Sequence, residues 1–388
     1  MRSIANLVAC LGAEIDFRVI TWDRDLGDAT TYEGVEPGIW TDVGHAKVLY
    51  LSPQSFRFRS IYRLLASQKA DVLYLNSFFN THVSILPMLA RAMGARGQDR
   101  VVFAPRGEFS LGALQISKVR KSMWMALALR MEVYRTALWQ ASSAFEEQDI
   151  RRVFGRYTRF ERTVIAVASD MPLRYGADSE GGSLPRCVKV PGTLRIVFLS
   201  RISPIKNLLG AIRMLRGLAG SIEFNIYGPA EDAGYFSQCE TELRALPTNI
   251  RVGIQSEVEH AQVREVIARH HVFFLPSLGE NFGHVIYEAL SAGVPAIISD
   301  RTPWRGLEER GAGWDLPLER EDLFREALET CVAMDNELFT AASESAKAMA
   351  LRFAEDDKVT ADNRALFLPA VATNLTHGDS GIPAGQTS

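Results

Sequence analysis

Short apolar runs alternate with helical patterns twice along this chain, and a polar, glycine-rich stretch separates the two series. The first series has strand candidates at Asp16–Thr21, Lys47–Leu51, Ala70–Asn76, Arg100–Ala104 and Thr163–Ala168, each β-branched or aromatic-rich and followed by a helix-like pattern. The second restarts at Arg195–Ser200 and runs through Ile222–Tyr227, Ile250–Gly253, His271–Pro276 and Val294–Ser299. Strands that alternate with helices pair in parallel, and the helices cover both faces of the sheet. Two such series in 388 residues imply two α/β domains with a cleft between them, because single cores stop growing near ~250–300 residues. The expected boundaries are 1–175 for the first domain, 176–193 for a connection built on the polar stretch Tyr175–Pro185, and 194–354 for the second domain. Residues 355–370 are expected to form a helix returning to the first domain, and 371–388, poor in apolar residues, a disordered tail.

Composition removes several classes of function. Lys and Arg number 43 against 46 Asp and Glu, a net charge of −3, and 47% of residues are hydrophobic, which argues against a disordered chain or a dedicated nucleic-acid binder. Cys10, Cys187, Cys239 and Cys331 are far apart, with no Cys-x-x-Cys or Cys/His ligand spacing, so neither a disulfide framework nor a structural zinc site is expected and a reducing cytoplasm suits them. No apolar run approaches the ~20 residues of a membrane span. Met1-Arg2-Ser3-Ile4 leads into helical periodicity, not into a signal peptide.

Ligands of parallel sheets bind beyond the carboxyl ends of the strands, so the loops there carry the chemistry. After the first strand of the second series comes Arg201-Ile202-Ser203-Pro204-Ile205-Lys206-Asn207, which brings two cations to one place. After the fourth comes Pro276-Ser277-Leu278-Gly279-Glu280-Asn281-Phe282-Gly283, leading into a helix expected over His284–Ala292. A helix N-terminus offers unbonded N–H groups and the positive end of its dipole to an anion. Together the two loops fit a diphosphate, one with fixed charge and one with backbone donors. Glu280 lies in the loop and Glu288 about one turn into the helix, with seven residues between them, so Glu288 is placed to accept hydrogen bonds from a ribose. Taken singly, each piece also has a plain structural reading: a salt bridge for Arg201, a solvated Lys206, and glycines that only turn the chain.

The run Glu280-Asn281-Phe282-Gly283-His284-Val285-Ile286-Tyr287-Glu288-Ala289-Leu290-Ser291-Ala292-Gly293-Val294-Pro295 resembles the signature of the retaining family 4 glycosyltransferases, and Ser200–Asn207 resembles their Arg and Lys donor-phosphate motif. The likeness is strong over residues 195–335 and weaker in the first domain, through Ala104-Pro105-Arg106-Gly107-Glu108 and Ala141-Ser142-Ser143-Ala144-Phe145-Glu146. It implies the GT-B architecture of two Rossmann-like, doubly wound parallel-sheet domains facing a central cleft. It also implies that Arg201 and Lys206 bind the donor diphosphate and stabilise the leaving group, that Glu280 contacts the donor sugar, and that Glu288 takes the ribose. By the same resemblance Gly283 and His284 offer backbone N–H groups to phosphate, Asn281 and Phe282 belong to the donor loop, and Arg106 and Gly107 face the sugar from the first domain. The implied activity is retaining hexosyl transfer from a UDP- or GDP-linked sugar to a glycan or lipid-linked saccharide, without a metal ion or other cofactor, in cell-surface polysaccharide biosynthesis. The expected location is cytoplasmic, with the inner face of the cytoplasmic membrane left open by the basic surface described below. Two rivals are a sugar-nucleotide epimerase of the same fold, which would convert donor with no acceptor present, and a catalytically impaired nucleotide-sugar binder, which would bind without turnover.

Other signals read more simply. Asp23-Arg24-Asp25 matches a metal-binding Asp-x-Asp but, alone in a predicted loop, reads as turn chemistry. Gly311-Ala312-Gly313 reads as a turn, and His270-His271, adjacent on a strand, would point to opposite faces. His82 lies in a strand-end loop where an acceptor contact and a structural role are equally open. Lys118, Arg120, Lys121, Arg151, Arg152, Arg156, Arg159 and Arg162 interleave with Trp124, Leu127, Leu129, Val153, Phe154 and Phe160, a surface that could rest on anionic lipid or be ordinary solvated helix faces. Finally, Ile4, Leu7, Val8 and Leu11 share one helical stripe, so the chain opens on a helix where the resembled family has a strand and a glycine-rich loop. Either the sheet of the N-terminal domain is rearranged or, the favoured expectation, its first strand is missing from this sequence and encoded upstream with a Gly-Gly.

Overall fold

The computed structural model describes residues 2–24, 30–110, 113–114, 118–130, 134, 136–155, 163–173, 184–185, 187–256 and 258–368. An opening helix, Arg2–Leu11, buries Leu7, Val8 and Leu11 and delivers the chain to β1 (Phe17–Trp22). β2 (Trp40–Val43) and β3 (Ala46–Leu51) follow, then β4 (Ala70–Asn76), β5 (Gln98–Ala104), β6 (Leu138–Ala141) and β7 (Ile165–Val167). The first domain departs from one parallel sheet in two ways. β2 pairs antiparallel with β3 across a tight turn in which Gly44 takes φ 57°, a left-handed value that glycine adopts without strain. Its seven described strands also fall into two sheets, ordered β1-β3-β2 and β4-β5-β6-β7.

Among the described residues no strand lies between β1 and β4, although the same helices cover both. Phe17 of β1 and Val72 and Tyr74 of β4 pack with Leu7, Leu11 and Phe367, while Ile20, Trp22 and Leu73 pack with Ile61 and Leu65 on the other face. The helix Asp357–Phe367 lies on this domain: Arg364 pairs with Glu14, Asn363 Nδ2 donates to the Ser169 carbonyl at 2.7 Å, and the Phe367 ring meets Phe17 and Tyr74. The helix before it, Asn336–Ala354, buries Ala346, Ala350 and Ala354 in the second domain.

The second domain is one six-stranded parallel sheet. Its strands are β8 (Thr193–Leu199), β9 (Ser221–Tyr227), β10 (Ile250–Gln255), β11 (Val272–Leu275), β12 (Ala296–Ser299) and β13 (Gly313–Leu316), in the order β10-β9-β8-β11-β12-β13. The chain leaves β8 in one direction and returns to β11 on its other side, which creates a switch point between their carboxyl ends. All of β11 and β12 is buried. Gly313, expected in a turn, starts β13: an added Cβ there would lie 2.0 Å from the Ala296 carbonyl, so only glycine lets the two strands close up. His270 and His271 precede β11 instead of lying on it; His270 bonds Val266 and Asn225, His271 bonds Arg195 and Val188, and burial pushes the His271 imidazole down to about 4. Most of the expected connection, 174–183 and 186, and the tail from 369 onward lie outside the described residues. None of the four cysteines forms a disulfide, and among the described residues no helix is long and apolar enough to cross a membrane.

Candidate active site

The switch point ties its two loops together. Leu278 N and Ser277 Oγ both donate to the Ile205 carbonyl, at 2.8 and 3.0 Å, and Asn207 Nδ2 donates to Pro276 O at 2.9 Å. Asn207 itself takes a left-handed backbone (φ 57°) to end the short turn Pro204–Lys206, and its side chain caps the helix Leu208–Met214 through Gly210 N. That turn aims Lys206 across the gap, where Nζ meets Glu280 Oε1 at 2.5 Å with both side chains largely buried. Arg201 is elsewhere: more than half exposed, it pairs with Glu231 at 2.7 Å. A surface pair of this kind contributes little, so the Arg201 guanidinium is cheaply released.

The second loop ends at Gly283, whose φ of 77° turns the chain into the helix His284–Ser291. Among the described residues the amides of Gly283 and His284 have no acceptor, as the first turn of a helix requires unless a cap or ligand supplies one. Phe282 does not line the site: its ring is 3% exposed and packs on Trp304 and Phe353, while Trp304 Nε1 holds the Phe282 carbonyl at 2.7 Å. The apolar ring is better buried than wet, so the contribution of Phe282 is to anchor the loop. Asn281 faces the first domain, its Oδ1 accepting from Ser142 Oγ at 2.7 Å. Glu288, one turn into the helix, is buried; Oε1 accepts from Arg2 Nη1 at 2.7 Å and Oε2 has no hydrogen-bond partner. Burial pushes its carboxyl above the usual value, against the pull of Arg2 and His284.

From the first domain, Gly107 reaches this place and Arg106 does not. A Cβ on Gly107 would lie 3.4 Å from Asn281, and its N–H is held by Glu146. Glu146 also accepts from Ser142 N and Oγ, so one buried carboxylate positions both first-domain groups that face Asn281. Arg106, at φ 57°, turns its guanidinium back into the domain, donating to Asp170, to Asn76 Oδ1 at 2.7 Å and to Tyr74 Oη at 2.6 Å. Burial alone would raise the Asp170 carboxyl; Arg106, His284 and Ser3 outweigh it and hold Asp170 well below the usual carboxylate range. Its Oδ2 accepts from Ser3 Oγ at 2.6 Å and lies 3.2 Å from His284 Nε2, so a first-domain anion orients a second-domain imidazole.

Asp170, Ser3 and Arg2 carry no motif, and only the fold makes them neighbours of the helix that follows Gly283. Asp23, fully buried, is held by Arg24 through both carboxylate oxygens, while Asp25 lies outside the described residues. His82 stacks edge-on against Trp22 and Phe56. Among the described residues no three His, Cys, Asp or Glu side chains gather as metal ligands.

Residues 188–348 match the family described as glycosyl transferases group 1. No curated protein matches the chain in sequence. Among solved structures, the chain is similar to Anabaena HepE in complex with UDP and glucose (TM-score 0.60, 16% identity, 83% of this chain and 85% of that one). It is also similar to sucrose-phosphate synthase from Thermosynechococcus elongatus (0.61, 14%, 94% and 91%). A third is the UDP-forming α,α-trehalose-phosphate synthase of Burkholderia xenovorans in complex with glucose-6-phosphate (0.63, 14%, 93% and 96%). At these identities the likeness is one of fold. Residues 188–348 are therefore similar to the glycosyl transferases group 1 family, within a chain that has the GT-B fold.

Proposed function

We propose that this protein is a retaining, metal-independent hexosyltransferase that moves a sugar from a UDP- or GDP-linked donor to a glycan or lipid-linked saccharide, serving cell-surface polysaccharide biosynthesis. The observation that carries the reading is the convergence, on one switch point, of Lys206, two helix-terminal amides without acceptors and the buried Glu288 with an unpartnered oxygen. A diphosphate entering here exchanges Lys206 from Glu280 to phosphate, which leaves Glu280 beside the sugar. As the glycosidic bond breaks, charge develops on the departing phosphate, where Lys206 and the helix N-terminus are already oriented; no cation is needed to neutralise it. With no enzymic nucleophile assigned, retention is ascribed to attack from the face the phosphate leaves, with that phosphate taking the acceptor's proton.

Membrane contact at the inner face is supported by a narrower surface than the sequence suggests. Arg151 pairs with Glu147 and Arg152 with Asp149, while Trp124 and Phe154 are buried. The side chains of Lys118 and Leu129, with Arg156, Arg159, Phe160 and Arg162, lie outside the described residues. What remains is Val119, Met123 and Leu127, exposed at four-residue spacing on the helix Lys118–Arg130 beside Arg120. The test of the function is turnover of UDP- and GDP-sugars with a saccharide acceptor. Lys206→Ala should cost about 10²–10³ in rate, as loss of one preorganised donor to a developing charge does, and chelator should change nothing. Strict dependence on a divalent ion, or donor conversion without acceptor, would overturn the reading.

A further inference from the structure

We propose that Arg2 is a donor-positioning residue: its guanidinium holds the Glu288 carboxylate across the domain boundary, so that Oε2 is presented to the ribose hydroxyls of a nucleoside diphosphate. This rests on the reading above that Glu288 takes the ribose. Arg2 Nη1 donates to Glu288 Oε1 at 2.7 Å, and Nη2 lies 3.1 Å from His260 Nδ1. Arg2 belongs to the first domain and Glu288 to the helix His284–Ser291 of the second, so a donor-domain carboxylate is completed from the opposite side. The Glu288 side chain is 3% exposed and that of Arg2 31%, which describes a partly solvated cation reaching in to a buried anion.

Two features set this pair apart from an ordinary structural bridge. Arg2 satisfies one carboxylate oxygen and leaves the other buried without a donor, a cost that a ligand hydroxyl would remove. Among the groups facing Glu288, Arg2 also does most to offset its burial, ahead of His284 on the same helix and Arg264 on the helix Val263–Ala268; His260, at 3.9 Å, is itself pushed down by burial and by Arg2. Without Arg2 the carboxyl takes up its proton at a higher pH and ceases to be an anionic acceptor. The next residue, Ser3, bridges Asp170 and His284, so the first turn of the opening helix orients both ends of the second-domain helix's first turn.

Calorimetric titration of the full chain with UDP and with GDP, from pH 5.5 to 8.5, tests this in wild type, Arg2→Ala and Arg2→Lys. Arg2→Ala should bind the accepted nucleotide about tenfold to a hundredfold more weakly, as loss of a charge-assisted hydrogen bond implies. Its affinity should also fall at a higher pH than that of wild type on acidification, and Arg2→Lys, which keeps the charge, should bring that midpoint back. Repeating the pair with His260→Gln should leave the displacement in place, because it belongs to Glu288. A purely structural bridge would lower the melting temperature without moving the midpoint. Nucleotide binding by Arg2→Ala as tight as wild type, or tighter, would overturn the inference, since the guanidinium would then only fill the site. If wild type binds neither UDP nor GDP, the functional reading fails and the inference with it; if wild type binds and Arg2→Ala is unchanged, the inference alone fails.

Discussion

In the second domain, β8 and β11 flank the switch point, pair with each other, and bury every residue of β11; in the first, β1 and β4 lie between two helix layers with no described strand between them. Thr21 is the one buried residue of β1 and Leu75 of β4. The second domain is thus organised by a continuous apolar core, and its two loops are pinned to each other by hydrogen bonds to backbone carbonyls. The first domain is organised at its ligand-facing end by buried polar groups instead: Arg106, Asp170, Tyr74, Asn76 and Gln140 form one connected network. Burial pushes the Tyr74 hydroxyl up to about 12, so it stays a neutral donor and acceptor within that network. Apolar packing tolerates small losses gradually, whereas a buried charge loses its compensation all at once. The same kind of site can therefore be framed by two halves that fail in different ways.

The most demanding test of that contrast is Asp170→Asn. Removing one partner of a buried pair should destabilise the first domain by about 3–5 kcal/mol, read as the shift of its unfolding transition in urea. The sign of the pH effect follows from the depressed carboxyl. Its contribution is complete above the ordinary Asp value near 4 and is lost as pH falls below it, so Asp170→Asn should flatten the acid limb of the stability curve. A loss below about 0.5 kcal/mol would show that the network is not what holds this end together.

The second test compares strands. Ile297→Ala, in fully buried β12, should cost about 2–5 kcal/mol, while Val19→Ala, in half-buried β1, should cost only about 1 kcal/mol, because less apolar surface and a smaller cavity are involved. Equal losses would mean that β1 is as tightly packed as β12. The smallest effect is expected where the halves meet. Ser142→Ala removes the Oγ contacts to Asn281 and to Glu146 and should cost about 0.5–1.5 kcal/mol, visible as a small loss in the first domain together with a weaker coupling between the two domains' unfolding transitions.

Much of the fold was legible because period and strand length are local properties. Ala70–Asn76 coincides with its expected span, and the β9 and β3 spans agree to within one residue. Trp40–Val43, Leu138–Ala141 and Gly313–Leu316 are not foreseen: each has polar residues inside the run (Thr41 and Asp42, Gln140, Asp315), unlike the equally short β11 and β12, and Gly313 reads as a turn until the close approach to Ala296 is seen. At the candidate site, the loop Pro276–Gly283 stands out in the sequence because strand, glycine, carboxylate and helix follow one another within a few residues.

What the sequence by itself determined is the α/β class, the division into two domains, and the two loops that meet at the second domain's switch point, since each depends on neighbours along the chain. Only the tertiary structure decided the partners: Lys206 with Glu280, Arg106 turned inward to Asp170, Phe282 as an anchor and not a lining residue, and Arg2 against Glu288 from 286 positions away. The physical reason is that an ionisable side chain acquires its role from burial and from the charge beside it, and both are set by segments distant in sequence that meet only in the folded chain, within one domain for Lys206–Glu280 and Arg106–Asp170 and across the two for Arg2–Glu288.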